Sequence, residues 1–464
     1  MKIRISQHLV YFNCFTIVVL FLLTGCSNSS LEIDIKDFGA KGDRRTINTH
    51  FIQSAIDVAE SKGGGTVHIW EGDFVTGTIL LKDNVTLQIH EEATLLGSLY
   101  QDDYSEDIAT LTDGIGQKFG YALIYAKGVK NVKITGLGVI DGRGFEDSFS
   151  SRKNQKRPSL IRIEDSKDIT VEGVTLKNSA FWVQHYRNST DILIDGITVI
   201  SRSNGNNDGI DIDGCERVKI INSSFDTSDD SIVLKSLSDR VVRDVLVQNN
   251  YIKGDKSAFK TGTESVGGFE NVQVMDLMIE GTRGINLYSV DGADMKNITV
   301  SNITMENSYA VIIMRLGGRL SSFDQSLSSK LEPGSMKDVT ISNIKAEGVT
   351  ANNDFISGMS GYLIEDVVLK DISIEFAESA DLNFSNLDIP EKITSYPVNG
   401  MFGSLPALGF MVRYAKGIQL DNIRYNINSD QKVPKLFSCI NTEEVSVNEI
   451  FLNGNEVDIS SCIE

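Results

Sequence analysis

The chain has 464 residues and a formal net charge of −19, from 63 acidic against 44 basic residues. That balance argues against a nucleic-acid partner, because phosphate contacts need clustered Lys and Arg. It suits a secreted enzyme, in which an anionic substrate would require a local basic patch.

Lys2 and Arg4 precede Phe15–Leu23, an apolar run too short to span a bilayer and of the length of a signal-peptide core. It ends in Leu23-Thr24-Gly25-Cys26, which resembles the bacterial lipobox, where the signal is cleaved and the cysteine, here Cys26, is lipidated. An ordinary signal peptide with a chance cysteine is the alternative. Ser27 resembles an outer-membrane sorting residue. The expected organisation is a signal over 1–26, a polar tether over 27–32 and one domain over 33–464. The product would be an exported outer-membrane lipoprotein facing the periplasm or the cell surface, in contact with the membrane through its lipid anchor. No linker rich in Pro, Gly or Ser divides the mature chain. An oxidising compartment allows Cys439 to pair with Cys462 or leaves both as thiols. Cys215 is expected to be a small buried hydrophobe.

Residues 47–61 read as an amphipathic helix, with Phe51, Ile52, Ala55, Ile56 and Ala59 on one face. Its natural place is over an open end of the fold. Gly63, Gly64 and Gly65 end that helix.

A repeat then dominates the chain. A polar residue or Gly is followed by two alternating apolar positions, then Asn, Asp or Gly, then a second apolar pair. The anchors are Val132, Ile169, Ile192, Val218, Val245, Val272, Ile298, Val339, Val367, Ile418 and Val445. They lie 23–28 residues apart, except for gaps of 37 (Val132 to Ile169), 41 (Ile298 to Val339) and 51 (Val367 to Ile418). Each unit is a pair of β-branched strands with one buried face, joined by residues that tolerate a turn. One coil cannot bury its face alone, whereas stacked coils share a core. The expected fold is all-β: a single-stranded right-handed parallel β-helix with an N-terminal capping helix. The long gaps imply inserted loops, and those at 316–335 and 377–410 are expected to shape the ends of a cleft.

Two adjacent coils carry the acidic signal: Asn207-Asp208-Gly209-Ile210-Asp211-Ile212-Asp213 and Ser228-Asp229-Asp230-Ser231. Asp208 and Asp229 are 21 residues apart, about one coil, which makes their strands stacked neighbours about 4.8 Å apart and crowds Asp208, Asp229 and Asp230 onto one face. A lone Asp in such a chain is a turn residue. Three on one face repel, at least one pKa rises, and an acid and a base become available for glycoside hydrolysis. Asp211 lines the cleft or fills a turn; Asp213 is expected in a turn.

These motifs, NNDGID at 206–211 and SDD at 228–230, resemble those of glycoside hydrolase family 28, the polygalacturonase and rhamnogalacturonase family. That family carries Asn-Thr-Asp-Gly-x-Asp and, about one coil later, Gly-Asp-Asp. The similarity runs from Asp37-Phe38-Gly39-Ala40 to Phe410-Met411-Val412-Arg413. The segments IDIKDFGAKGD and GGGTVHIWEGDF, on either side of the helix, resemble the start of pectin-degrading β-helix enzymes. The resemblance implies an inverting hydrolase of a pectic or related acidic polysaccharide that needs no cofactor and no metal. Asp229 matches the general acid, and Asp208 with Asp230 matches the pair that activates water.

Two family motifs are absent. Ser257, in Lys256-Ser257-Ala258, stands where Gly-His-Gly would place its histidine. Asn286-Leu287-Tyr288 stands where Arg-Ile-Lys would hold the sugar carboxylate. KTGTES (260–265) and IIMRLGGR (312–319) resemble a bacterial branch of the family. With Phe259 and Thr261 inward, Lys260 points outward, one coil below Asn286. Lys235 lies a coil lower and Arg315 on the coil after Asn286. These cations either rebuild a basic subsite or balance the surplus aspartates. Glu264 is placed to anchor Lys260 in both cases. Tyr288 stacks on a sugar face or packs in the core.

Two other classes stay open. A polysaccharide lyase on the same fold would use the aspartates as a Ca²⁺ site. A surface glycan-binding protein would bind without turnover. The scattered histidines lack metal-ligand spacing, and there is no GxSxG elbow or Gly-rich phosphate loop.

Overall fold

A computed structural model describes residues 31–458, apart from 113–117, 146, 151–155, 323–324, 329–330, 386–387 and 429–431. The signal segment, Cys26 and Cys462 lie outside the described residues. The first strand, Glu32–Asp34, begins at the end of the span expected as a tether.

From there the chain winds as a right-handed parallel β-helix with three ladders of short strands. In the first ladder all eleven anchors read from the sequence are register partners, from Val132 opposite Ile169 through to Ile418 opposite Val445. All but Val445, on the last coil, are buried. Burial of one such side chain stabilises by roughly 1.5–3 kcal/mol, and this column joins the inward columns of the other two ladders in one core. Between the first and second ladders the backbone bends at Asn222, Asn249, Asp276, Asn302 and Asn343, with φ between +53° and +56°. Asn and Asp tolerate that left-handed conformation. Their side chains also bridge the coils: Asn249 Nδ2 donates to Asn222 Oδ1 (2.7 Å) and Asn343 Nδ2 to Asn302 Oδ1 (2.7 Å).

The capping helix, α1, spans Thr49–Ser61 and buries Ile52, Ala55, Ile56 and Ala59 against the first coils. It starts two residues later than expected, because Ile47 closes the strand Asp43–Ile47. Asn48, at the N-cap, does not cap: its side chain is engaged with Lys41, Thr46 and Val75 backbone groups. At the other end Asn455–Glu456 folds back antiparallel on the last long strand, Ser438–Leu452, through a turn at Asn453-Gly454. The helix thereby shields the first coils, and the fold-back covers Phe451 and Leu452 at the tip of the last strand. Cys215 is fully buried with its Sγ donating to Tyr186 O (3.3 Å), and Cys439 is buried too.

The third ladder positions the candidate site. Its strands include Gln184–Arg187, Ile210–Asp213, Ile232–Ser236, Phe259–Ser265, Ile285–Ser289, Ile312–Leu316 and Phe355–Ser357. Tyr186, Ile212, Leu234, Thr261, Leu287 and Met314 form one register column. The neighbouring column is His185, Asp211, Val233, Lys260, Asn286 and Ile313. Strand alternation sends the two columns to opposite faces, the first into the core and the second outward.

Candidate active site

The corner before each strand of the third ladder is laid down by backbone hydrogen bonds. Gly209 N donates to Asp230 O (2.9 Å), Ser231 N to Ser257 O (2.9 Å) and Ala258 N to Gly284 O (3.0 Å). Ile210 pairs with Ile232, so within the Asp229-Asp230 pair it is Asp230 that falls opposite Asp208. Gly209 is required at this corner: a Cβ there would lie 2.5 Å from Ser231 O.

Asp230 is buried and accepts from Lys260 Nζ (2.7 Å) and Ser257 N (2.9 Å). Burial pushes its carboxyl up, but the Lys260 charge and these hydrogen bonds outweigh it and hold the pKa below the usual range. Asp229, half-buried, is raised by burial and by repulsion from Asp230, with its Oδ1 accepting from Asp230 N (3.0 Å). Adjacent carboxyls thus sit at opposite protonation tendencies, which suits one as acid and the other as base.

On the coil before, Asp208 is pushed well up by burial and then by Asp211, against the pull of Lys235. Asp211 is raised to about 8, by burial first. Neither of its carboxyl oxygens has a hydrogen-bond partner. Lys235 Nζ lies 3.6 Å from Asp211, 3.9 Å from Asp208 and 3.1 Å from Glu264, and 4.7 Å from the centre of the Trp182 ring. Glu264 is held down to about 2: burial opposes this, and Lys235 and Arg319 override it.

Several expectations change. Glu264 anchors Lys235, not Lys260, because the register shifts between Leu234 and Ser236 and carries Lys235 towards it. Arg315 is not a cleft cation. It is buried, and its guanidinium donates to the carbonyls of Gly358, Glu391 and Lys392. Asp213 is no turn residue: it is buried in a strand, 3.3 Å from Arg187 and 3.4 Å from His185. Asn286 is buried and donates to Ser257 Oγ (2.6 Å), so the serine in the histidine position joins a polar network beneath Asp230.

A pocket of about 160 Å³ opens over Asp229, Asp230 and Lys260, with Ser257 and Tyr288 in its floor. Tyr288 is buried there, and the exposed ring is Tyr396, 5.9 Å from Lys260 Nζ. Tyr396 escaped the sequence reading because it arrives on the long insertion between Val367 and Ile418. The only signal was the length of that gap. Arg319, ion-paired with Asp291 and 3.9 Å from Glu264, was likewise missed, although it lies in IIMRLGGR. Among the described residues no group of three or more His, Cys, Asp or Glu is arranged to hold a metal ion.

A raised and a lowered carboxyl side by side under a small pocket on a β-helix are what a carboxylate-based glycosidase requires. Residues 76–392 match the family model of glycosyl hydrolases family 28. Over 297 residues the chain is 30% identical to a "Probable polygalacturonase" of Vitis vinifera, covering 58% of this chain and 60% of that one. The exopolygalacturonase of Thermotoga maritima has a similar structure, with a TM-score of 0.67 and 22% identity over 92% of this chain and 93% of that one. The family 28 exopolygalacturonase of Yersinia enterocolitica gives a TM-score of 0.72 at 20% identity, over 90% and 78%. The chain belongs to glycosyl hydrolases family 28.

Proposed function

We propose that this glycosidase inverts the anomeric centre of a pectic polysaccharide, galacturonan- or rhamnogalacturonan-like, or of a related acidic glycan. Asp229 protonates the leaving glycosidic oxygen. Asp230, ionised beside Lys260, takes the proton of the attacking water, and Asp208 helps to orient that water. The observation that carries the reading is the split between Asp229, raised, and Asp230, lowered, at adjacent positions under one pocket. The chemistry needs no cofactor.

A lyase reading is disfavoured because lysines already sit in the acidic cluster: Lys260 on Asp230, and Lys235 between Asp208, Asp211 and Glu264. A Ca²⁺ ion would have to displace them. The test is release of reducing ends from a panel of pectic and other acidic polysaccharides, wild type beside Asp229→Asn. Release by wild type alone supports the hydrolase. No release on the panel, with binding kept by both proteins, supports a glycan-binding protein.

We further propose export and lipidation at Cys26, on the strength of Phe15–Leu23 and Leu23-Thr24-Gly25-Cys26. Labelled palmitate should enter the wild type and not Cys26→Ala.

A further inference from the structure

The cations in the cleft and behind its outer wall divide into two groups. Lys260 is committed to Asp230, Lys235 to Glu264 and Asp211, Arg319 to Asp291, and Arg315 and Arg413 to loop carbonyls. A buried cation already paired with a carboxylate offers little to an incoming anion, since a new partner must compete with the old one. Lys256 and Arg283 are different. Both line the pocket over Asp229 and both are half-buried. Among the described residues neither side chain takes part in an ion pair or a hydrogen bond.

Their placement is fixed by backbone. Arg283 N donates to Lys256 O (2.8 Å), which stacks the two corners. Arg283 O in turn accepts from Asn399 Nδ2 (3.1 Å), which pins this corner to the loop carrying Tyr396, Pro397 and Val398. The charge of Lys256 is felt at Asp229, and Arg283 lines the same pocket. The pocket, about 160 Å³, is smaller than the roughly 300–1,000 Å³ that larger ligands occupy, and it suits one sugar ring.

We propose that Lys256 and Arg283 bind the carboxylate of a single uronic-acid residue in this pocket, and so set the preference for an acidic sugar beside Asp229. This rests on the glycoside-hydrolase reading above. A planar guanidinium and an ammonium together supply a forked and a point contact to one carboxylate. Lys260 acts on the base instead, keeping Asp230 ionised whatever the sugar carries.

The experiment compares kcat/KM on oligogalacturonate and on its methyl ester, for wild type, Lys256→Gln, Arg283→Gln, the double variant and Lys260→Met. Each single glutamine variant should lose about tenfold or more on the free acid and no more than about threefold on the ester. The double variant should lose the preference for the acid. Lys260→Met should lower both substrates alike, because it acts through Asp230. Equal losses on acid and ester in the glutamine variants, or an unchanged preference in the double variant, would overturn the subsite. If the wild type turns over neither substrate, the pectic reading fails separately. Calorimetric binding of oligogalacturonate then decides the subsite, and equal affinity of wild type and double variant would refute it.

Discussion

Lys260 Nζ lies 2.7 Å from Asp230 Oδ2 across successive coils, in a setting where both side chains are more than nine-tenths buried. This pair favours the ionised form of Asp230, whereas the neighbouring Asp229 is raised, as the proposed roles of base and acid require. Lys260→Met should therefore leave an uncompensated buried carboxylate, destabilising by about 3–5 kcal/mol. The folded pKa of Asp230 is depressed, so its contribution to stability is present above the unfolded value and lost as pH falls. In the variant the pKa moves up, and the acid limb of the kcat/KM profile should move to higher pH with it. An unmoved acid limb in a folded variant would remove Asp230 from the role of base.

Asp229 must carry a proton to act as the acid. Its pKa is raised, by burial and by Asp230, so activity should hold below the raised value and decline as pH climbs through it. Asp229→Asn should lower kcat by about 10²–10⁴-fold and abolish that basic limb, while binding of oligosaccharide stays close to wild type. Retention of the basic limb in Asp229→Asn would assign the acid elsewhere.

The coil repeat was legible in the sequence because β-branched alternation and left-handed Asn or Asp turns are local requirements, repeated on every coil. That is why Val132 through Val445 fall into one register. The carboxylates Asp208, Asp229 and Asp230 were legible as a cluster for the same reason, since each sits at the same corner of its coil. Which member of the Asp229-Asp230 pair faces Asp208 was not legible, because corner length does not show in strand patterning. Arg315 was misread because alternation gives the side of a strand and not what covers it: the loop around Glu391 lies over it and takes its hydrogen bonds. Tyr396 and Arg319 belong to inserted segments, and no periodicity places those.

Glu264 is held at about 2 against an ordinary value of 4.5, by Lys235 and Arg319 acting against burial. A depressed carboxylate stabilises the fold above its unfolded pKa, and the benefit is lost as pH falls from about 4.5 towards 2. Glu264→Gln should cost about 3 kcal/mol at pH ~7 in urea unfolding, with the difference from wild type shrinking at pH ~3. A pH-independent difference would show that Glu264 matters through packing alone. Lys235 keeps Asp211 and Asp208 as partners in the variant, so the acidic cluster should remain assembled.

Arg315 and Arg413 hold the loop that forms the outer wall of the pocket. Arg315 donates to the carbonyls of Glu391 (2.9 Å) and Lys392 (3.2 Å), and Arg413 to that of Ile389 (2.7 Å), four to seven residues before Tyr396. Neither guanidinium lines the pocket over Asp229. Arg315→Ala should therefore act on placement: a KM raised several-fold with a smaller change in kcat, and faster proteolysis within 389–399. Loss of a buried multidentate Arg also leaves carbonyls unpaired, at about 1–3 kcal/mol each. Arg315→Lys should rescue little, because an ammonium cannot reach carbonyls of Gly358 and Lys392 with one planar fork. A kcat loss as large as that of Asp229→Asn, with KM unchanged, would instead return Arg315 to the reacting centre.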